Sequence, residues 1–153
     1  MGKLELKIPP AAQVVLLAAA MWYASMVFPH LSVVVPGSLL LACIVVCVGV
    51  ASAFAGVAAF RAARTTVNPT RPAASSAVVT TGVYRWSRNP MYLGFLLVLL
   101  GWALYLSHPL AFAFLPAFVV YMNRFQIGPE EKVMRAKFGA EYCSYVSSVR
   151  RWL

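Results

Sequence analysis

The chain has 153 residues, of which 61% are hydrophobic and only 11% are charged, and its mean hydropathy is +0.76. A water-soluble domain of this length needs more charge to cover its surface, so the composition excludes that class and indicates a membrane protein. Thirteen Lys and Arg residues face only four acids, which gives a net charge of +9. In a membrane protein this excess favours anionic lipid headgroups as partners, and we expect no nucleic-acid partner.

Four apolar segments follow one another along the chain and predict an all-α integral membrane bundle of about four transmembrane helices. The segments are 11–28, 33–60, 91–106 and 109–122. The first two approach or exceed the roughly 20 residues that a helix needs to cross a bilayer. Only Ser107 and His108 separate the last two, which therefore predict a tight helical hairpin whose second arm is short and bent at Pro116.

Small residues recur at intervals of three or four within the second segment, at Gly49, Ser52, Ala53 and Gly56. Such a stripe allows a second helix to approach closely in a membrane. We therefore expect the second segment to pack in the centre of the bundle.

The basic residues lie on one side of the predicted bundle. All thirteen fall before residue 11, within 61–90 or after residue 123, whereas the connections 29–38 and 107–108 contain none. The positive-inside rule therefore places both termini and the connection 61–90 in the cytoplasm, across the inner or plasma membrane if the source is prokaryotic. All four glutamates fall on the same side, while both histidines fall on the other. A catalytic acid or base at the cytoplasmic face is therefore not a histidine.

We expect residues 1–153 to form a single membrane domain. Its parts are two N-terminal transmembrane helices (1–60), a cytosolic connection (61–90), the helical hairpin (91–123) and a C-terminal cytosolic or interfacial helical segment (124–153).

Breaks in the pattern divide the polar segments further. The sequence Asn68-Pro69-Thr70-Arg71-Pro72 favours irregular backbone early in the cytosolic connection. After the fourth span, Ile127-Gly128-Pro129 predicts a break in the chain. A new helix then begins with proline at its first position and two acids, Glu130 and Glu131, in its first turn, and Phe138-Gly139 interrupts it.

The step Asn89-Pro90 has two interpretations. Asparagine is a favoured N-cap and proline a favoured first helical residue, so the pair is typical of a well-started membrane helix. The start of a helix also presents unpaired N–H groups and a partial positive charge, here next to Arg85 and Arg88. The same segment could therefore bind a carboxylate or a phosphate.

Aromatic and acidic residues on the predicted cytoplasmic side also have two interpretations. Tyr84, Trp86 and Tyr92 could form an interfacial aromatic belt or the wall of a pocket for a flat, cationic ligand. Glu130 and Glu131 could compensate a helix dipole, or they could hold an ammonium group or ribose hydroxyls.

Motifs in the C-terminal half resemble the integral-membrane methyltransferases of the isoprenylcysteine carboxyl methyltransferase and phospholipid methyltransferase superfamily. They are Thr81-Gly82-Val83-Tyr84-Arg85, Arg88-Asn89-Pro90-Met91-Tyr92-Leu93-Gly94, Glu130-Glu131 and Phe138-Gly139-Ala140-Glu141-Tyr142. The resemblance covers roughly residues 80–151, and the first two spans show no specific match. Many members have a histidine where this chain has Asn89, which leaves the backbone amides of the site in place but removes an imidazole.

The resemblance implies S-adenosylmethionine binding at the cytosolic face by a catalytic region within 80–153, with S-adenosylhomocysteine as product and no metal. The residues that it implies for the cofactor site are Tyr84, Arg88, Asn89, Pro90, Met91, Tyr92, Glu130, Glu131 and Tyr142. Arg88, Glu130 and Glu131 are the candidates for a catalytic role, and which of the two glutamates contacts the cofactor stays open.

The resemblance also implies methyl transfer to a lipophilic or membrane-associated acceptor: an isoprenylcysteine-like carboxylate, a thiol or a lipid headgroup. An anionic acceptor needs no general base, so the absence of a cytoplasmic histidine is compatible with this chemistry. An amine acceptor must lose a proton, which Glu130 or Glu131 could accept. Two alternatives are an NADPH-dependent membrane reductase resembling the sterol reductases, which share parts of the same motifs, and a non-enzymatic membrane scaffold.

Overall fold

The computed structural model describes residues 5–66, 68 and 72–153. Throughout these residues the regular secondary structure is helical, as the sequence predicts. The α-helices are α1 (Pro10–Val27), α2 (Ser38–Ala62), α3 (Pro90–Leu106), α4 (Pro109–Tyr121) and α5 (Gly128–Ser148). Short 3₁₀ turns lie at Pro29–Leu31, Pro72–Ala74 and Gly82–Arg85, and a π-helix, Met122–Ile127, joins α4 to α5.

Three helical stretches within the described residues are long and apolar enough to cross a membrane: α1, α2 and the continuous stretch Pro109–Ser148. The third predicted span, α3, is apolar but has only 17 residues. Charged side chains in Pro109–Ser148 begin at Arg124, so its apolar part is α4 and the start of the π-helix. The helix α5 therefore lies beyond the spanning part.

Large apolar side chains cover the outside of the bundle. On α2, for example, Leu40 is 68% exposed and Phe54 is 70% exposed. Water-soluble proteins rarely show a continuous apolar surface of this extent. The protein is therefore an integral membrane protein that uses lipid as its outer solvent.

The helix at the centre of the bundle is α3, which packs against α1, α2 and α4. Leu99 and Ala103 of α3 are fully buried, and the indole N–H of Trp102 donates to the carbonyl oxygen of Ala18 on α1 at 3.0 Å. The prediction that the second segment occupies the centre is wrong. Its small residues lie on one face, which packs on α3, while the opposite face of α2 is exposed.

Glycines permit the close packing that the sequence predicts between α2 and a neighbouring helix. A Cβ atom on Gly49 would lie 2.7 Å from the carbonyl oxygen of Gly94, and a Cβ atom on Gly101 would lie 2.9 Å from that of Ala42. Both distances are too short for a side chain, so backbone meets backbone along this interface.

The hairpin between the third and fourth spans is confirmed, because α3 ends at Ser107 in a left-handed conformation and α4 begins at Pro109. The second span begins at Ser38 rather than at residue 33, since Gly37 adopts a φ of 78° that ends the preceding turn. Pro116 lies inside α4. Of the segment predicted to have irregular backbone, residues 69–71 lie outside the described part of the chain.

The predicted break at residues 127–129 is wrong. Helical backbone continues from α4 through the π-helix into α5, and Gly128 itself has helical dihedral angles (φ −57°, ψ −51°). Proline has no N–H to donate to a helical hydrogen bond. Pro129 lies where the hydrogen-bond pattern changes from π to α, and a missing donor is tolerated there. The predicted interruption at Phe138-Gly139 is confirmed, since Gly139 is non-helical with φ 53° and ψ −121°.

Candidate functional site

A cleft opens where the beginnings of α3 and α5 meet the connection between α2 and α3. It encloses about 100 Å³ and, with its open mouth, spans about 670 Å³. Its polar and aromatic lining includes Tyr84, Arg88, Asn89, Tyr92, Glu130, Glu131, Tyr142 and Tyr145, and its apolar lining includes Phe60, Val78, Val79, Met91 and Met134.

Arg88 is a buried cation with unused hydrogen-bond donors. Its Nη2 atom lies 3.2 Å from Oε1 of Glu131, and both side chains are 10% exposed. Its Nε and Nη1 atoms are also buried, and no described residue accepts a hydrogen bond from either. Buried donors without a partner are costly, so these two atoms point to an anionic group as their partner.

Glu131 is held by a second arginine that the sequence did not associate with the site. Nε and Nη2 of Arg151 donate to Oε1 and Oε2 of Glu131 at 3.1 and 2.7 Å. Two parallel bonds between a guanidinium and a carboxylate form a strong, geometrically specific pair. Glu131 is therefore a carboxylate whose oxygens are both in use.

Glu130 has a different environment. Its Oε1 atom accepts a hydrogen bond from the hydroxyl of Tyr92 at 2.6 Å and a second, short one from Nε2 of Gln126. Enclosure of the carboxyl group away from water raises its pKa to about 7, although these two hydrogen bonds act in the opposite direction. Glu130 is thus a carboxyl group that exchanges a proton near neutral pH.

Asn89 lies at the start of α3 without capping it. No side chain caps this helix, and the Asn89 amide instead donates from Nδ2 to the carbonyl oxygen of Arg151 at 2.9 Å. The N-cap interpretation of Asn89 is therefore wrong in its side-chain contact: its Nδ2 donor is bound to a distant segment of the chain, and its Oδ1 atom accepts no hydrogen bond from the first N–H groups of α3. Pro90 begins the helix as predicted, and its carbonyl oxygen accepts a hydrogen bond from the hydroxyl of Ser52 at 2.9 Å.

Aromatic side chains from three parts of the chain form one wall of the cleft. The hydroxyl of Tyr145 donates to the carbonyl oxygen of Tyr84 at 2.8 Å, and the rings of Phe60 and Tyr84 lie 5.3 Å apart. Burial raises the pKa of Tyr84 far above its usual value and that of Tyr142 to about 12. Both phenols therefore stay neutral at physiological pH and offer ring faces and a hydroxyl rather than a charge.

The structure brings most of the predicted residues together around this cleft. Tyr84, Arg88, Asn89, Met91, Tyr92, Glu130, Glu131 and Tyr142 line it, whereas Pro90 is buried at the start of α3 outside the lining. Trp86 and Arg85, which the sequence offered as further pocket residues, are exposed on the surface.

Sequence reasoning missed several contributors to the site. Gln126 precedes Glu130 by four residues and Tyr145 follows Tyr142 by three, so helical spacing could have found both. No local spacing in the sequence associates Arg151 with the predicted site residues. Its contact with Glu131 spans 20 residues of chain and depends on the fold.

Comparison with known proteins identifies the family of the chain. The family model described as phospholipid methyltransferase matches residues 38–141, so the chain belongs to that family. The match includes α2, which shows that the resemblance reaches further upstream than the motifs in 80–151.

Individual relatives match shorter segments. A protein-S-isoprenylcysteine O-methyltransferase of Saccharomyces cerevisiae is 39% identical over 83 residues, which are 52% of this chain and 34% of the yeast protein. Protein-S-isoprenylcysteine O-methyltransferase A of Arabidopsis thaliana is 39% identical over 75 residues, 47% of this chain and 36% of the plant protein. An uncharacterised protein of Haemophilus influenzae is 48% identical over 63 residues, 41% of this chain and its own entire length.

This chain therefore spans about a third of the length of the two isoprenylcysteine methyltransferases that it matches. No solved structure matches it significantly.

Proposed function

We propose that the protein transfers a methyl group from S-adenosylmethionine to a lipophilic acceptor held at the membrane surface. The observation that carries this proposal is the cleft itself. It brings together a buried guanidinium with unused donors, an aromatic wall and two carboxyl groups, one bound by arginines and one bound by uncharged donors. Membership of the phospholipid methyltransferase family supports methyl transfer as the reaction. S-adenosylmethionine, when bound, supplies an activated methyl group on a sulfonium.

Arg88 is the group we assign to the carboxylate of the methyl donor. Its Nε and Nη1 atoms are buried donors at the cleft that no described residue uses. Hydrogen bonds from a guanidinium to a carboxylate are charge-assisted, and burial strengthens them. Asn89, Met91 and Tyr92 extend this polar end of the site along the start of α3.

Of the two glutamates, we assign Glu130 to the ammonium group or the ribose hydroxyls. Glu131 is occupied by Arg88 and Arg151, whereas the partners of Glu130 are the uncharged donors Tyr92 and Gln126. A nearby ammonium would favour the ionised form of Glu130 and lower its pKa from about 7. For an amine acceptor, the same carboxyl group could accept the proton that the amine must lose.

The remaining walls suit an adenine ring and a lipophilic acceptor. Tyr84 and Tyr142 offer ring faces on which a flat base can stack, and Met91 and Phe60 provide apolar surface beside them. Catalysis then depends on holding acceptor and methyl group in line at near-attack distance while excluding water. The acceptor is an isoprenylcysteine-like carboxylate, a thiol or a lipid headgroup, each of which fits this arrangement.

We place the cleft on the cytoplasmic side of the membrane. Arg88, Glu130 and Arg151 belong to segments that contain most of the basic residues of the chain. The positive-inside rule therefore supports a cytoplasmic site, which also has access to a soluble methyl donor.

Titration calorimetry with S-adenosylhomocysteine on detergent-purified protein tests the proposal. We expect binding by the wild type, and we expect Arg88→Ala and Glu131→Gln to weaken it by about tenfold or more. Arg88→Ala removes the group assigned to the ligand carboxylate, and Glu131→Gln removes the charged partner of the buried Arg88 side chain. Arg85→Ala is the matched control, since Arg85 is exposed and lies three residues away. Transfer of a labelled methyl group into a total lipid and thiol extract would then identify the acceptor class.

Two outcomes would contradict the assignment. Folded protein that binds NADPH tightly and no S-adenosylhomocysteine would indicate a reductase. Folded protein that binds neither would indicate a scaffold.

A further inference from the structure

The segment 150–153 folds back onto both halves of the cleft. The backbone N–H of Arg88 donates to the carbonyl oxygen of Arg150 at 3.0 Å, and the Asn89 amide donates to that of Arg151 at 2.9 Å. On the other side, the indole N–H of Trp152 donates to Oδ1 of Asn123 in the π-helix at 3.1 Å. These contacts fix the backbone at Arg151 between α3 and α5, independently of its side chain.

The Arg151 side chain takes up both oxygens of Glu131. Its Nε atom lies 3.1 Å from Oε1 and its Nη2 atom lies 2.7 Å from Oε2, which is the parallel two-bond geometry. Arg88 reaches only Oε1, through Nη2 at 3.2 Å. Arg151 is therefore the principal partner of Glu131, and Arg88 is a secondary one.

This division leaves the rest of the Arg88 guanidinium available. Nε and Nη1 of Arg88 have no acceptor among the described residues. Without Arg151, Glu131 would be a buried carboxylate whose remaining cationic partner is Arg88. The favourable two-bond pairing would then draw Glu131 onto Arg88 and use Nη2 together with one of the two donors that are now free.

We propose that Arg151 is a positioning residue: by occupying both oxygens of Glu131, it keeps Nε and Nη1 of Arg88 available for the carboxylate of the methyl donor. This inference rests on the proposed function. Arg151 itself lies outside the lining of the cleft, so it acts on the ligand through Glu131 and Arg88.

The test compares two ligands that differ in the group that Arg88 would bind. S-adenosylhomocysteine carries the amino-acid carboxylate, whereas its decarboxylated analogue, S-adenosyl-3-thiopropylamine, keeps the nucleoside, the thioether and the ammonium group but lacks the carboxylate. In Arg151→Met we expect the affinity for S-adenosylhomocysteine to fall by about tenfold, because a charge-assisted contact is lost. The affinity for S-adenosyl-3-thiopropylamine, measured by competition, should stay within twofold of the wild type.

Arg124→Met is the control, because it makes the same chemical change at an exposed residue next to Asn123. It should leave the affinity for both ligands unchanged. If Arg151→Met fails to fold, the same two ligands are compared with Arg151→Lys. The lysine ammonium cannot bind both oxygens of Glu131 in the parallel geometry. In that variant we expect a severalfold loss for S-adenosylhomocysteine alone.

The inference is overturned if the folded Arg151 variants bind S-adenosylhomocysteine as tightly as the wild type. It is also overturned if they lose affinity for both ligands equally, since that result indicates a general disturbance of the cleft. A wild-type protein that does not bind S-adenosylhomocysteine would contradict the proposed function instead, so the two failures are distinguishable.

Discussion

Gly49 of α2 and Gly94 of α3 lie in direct backbone contact. A Cβ atom added to Gly49 would lie 2.7 Å from the carbonyl oxygen of Gly94 and 2.9 Å from the Cβ atom of Leu97. The nearest obstacle is backbone, which cannot rotate away as a long side chain can. This contact sets the separation of two helices that border the cleft, α2 near its C-terminal end and α3 at its start.

Gly49→Ala should therefore destabilise the protein. Forcing a methyl group into a packed interface costs about 1–3 kcal/mol, because helices or side chains must shift to admit it. The expected result is a lower midpoint of thermal unfolding in detergent. Ala58→Val adds bulk to an exposed position of the same helix and should leave the midpoint unchanged. A wild-type midpoint in Gly49→Ala would show that the two helices separate without cost.

Glu130 should make the stability of the protein depend on pH. Its pKa is raised from 4.5 to about 7 in the folded state, so the folded protein binds more protons than the unfolded chain between these values. The contribution of Glu130 to stability is fully present below pH 4.5 and is lost as the pH rises through about 7. Relative to Glu130→Gln, the wild type should therefore lose stability between pH 5 and pH 7.5, a window taken from these two pKa values.

Unfolding midpoints measured at both pH values check this prediction. Glu141→Gln, at an exposed carboxylate of the same helix, should show the pH dependence of the wild type. Identical pH dependence in Glu130→Gln and the wild type would mean that Glu130 is ionised in the folded protein at pH 5.

The hydroxyl of Tyr145 ties α5 to the turn that precedes α3. It donates to the carbonyl oxygen of Tyr84 at 2.8 Å in a buried position. Tyr145→Phe leaves that carbonyl without its donor and should cost roughly 1–2 kcal/mol of unfolding free energy. Thermal unfolding measures the loss, with Tyr105→Phe, the same change at an exposed tyrosine, as control. Equal midpoints for both variants would argue against a buried hydrogen bond at this position.

Gly139 allows the sharp change of direction within α5. Its dihedral angles, φ 53° and ψ −121°, lie in a region that residues with a side chain avoid. Gly139→Ala should cost about 1–3 kcal/mol through backbone strain, although nothing lies within 4 Å of an added Cβ atom. Ala140→Ser, at the exposed neighbour, should change stability by less than about 0.5 kcal/mol. Unchanged unfolding of Gly139→Ala would show that α5 can straighten freely.

Local sequence patterns account for much of this architecture. The stripe of Gly49 and Gly56 predicted a close helix contact, since small side chains are a property of the sequence itself. The motifs around Arg88 and the pair Glu130-Glu131 predicted a shared site, and the structure places both on one cleft.

The features that sequence reasoning missed depend on contacts between distant parts of the chain. The Asn89 side chain does not cap α3 but donates to the carbonyl oxygen of Arg151, 62 residues later. The central position of α3 follows from the arrangement of four helices and not from any one of them. The break expected at Ile127-Gly128-Pro129 was wrong because local residue preferences do not anticipate a π-helix.

The π-helix Met122–Ile127 has a geometric consequence for the acidic pair. A π turn takes in one residue more than an α turn, and each residue of an α-helix advances about 100° around the axis. Without that extra residue, Glu130 and Glu131 would be rotated by about 100° relative to α4, away from their partners Tyr92 and Arg88. The direction in which the two carboxylates point therefore depends on how many residues separate Tyr121 from Pro129.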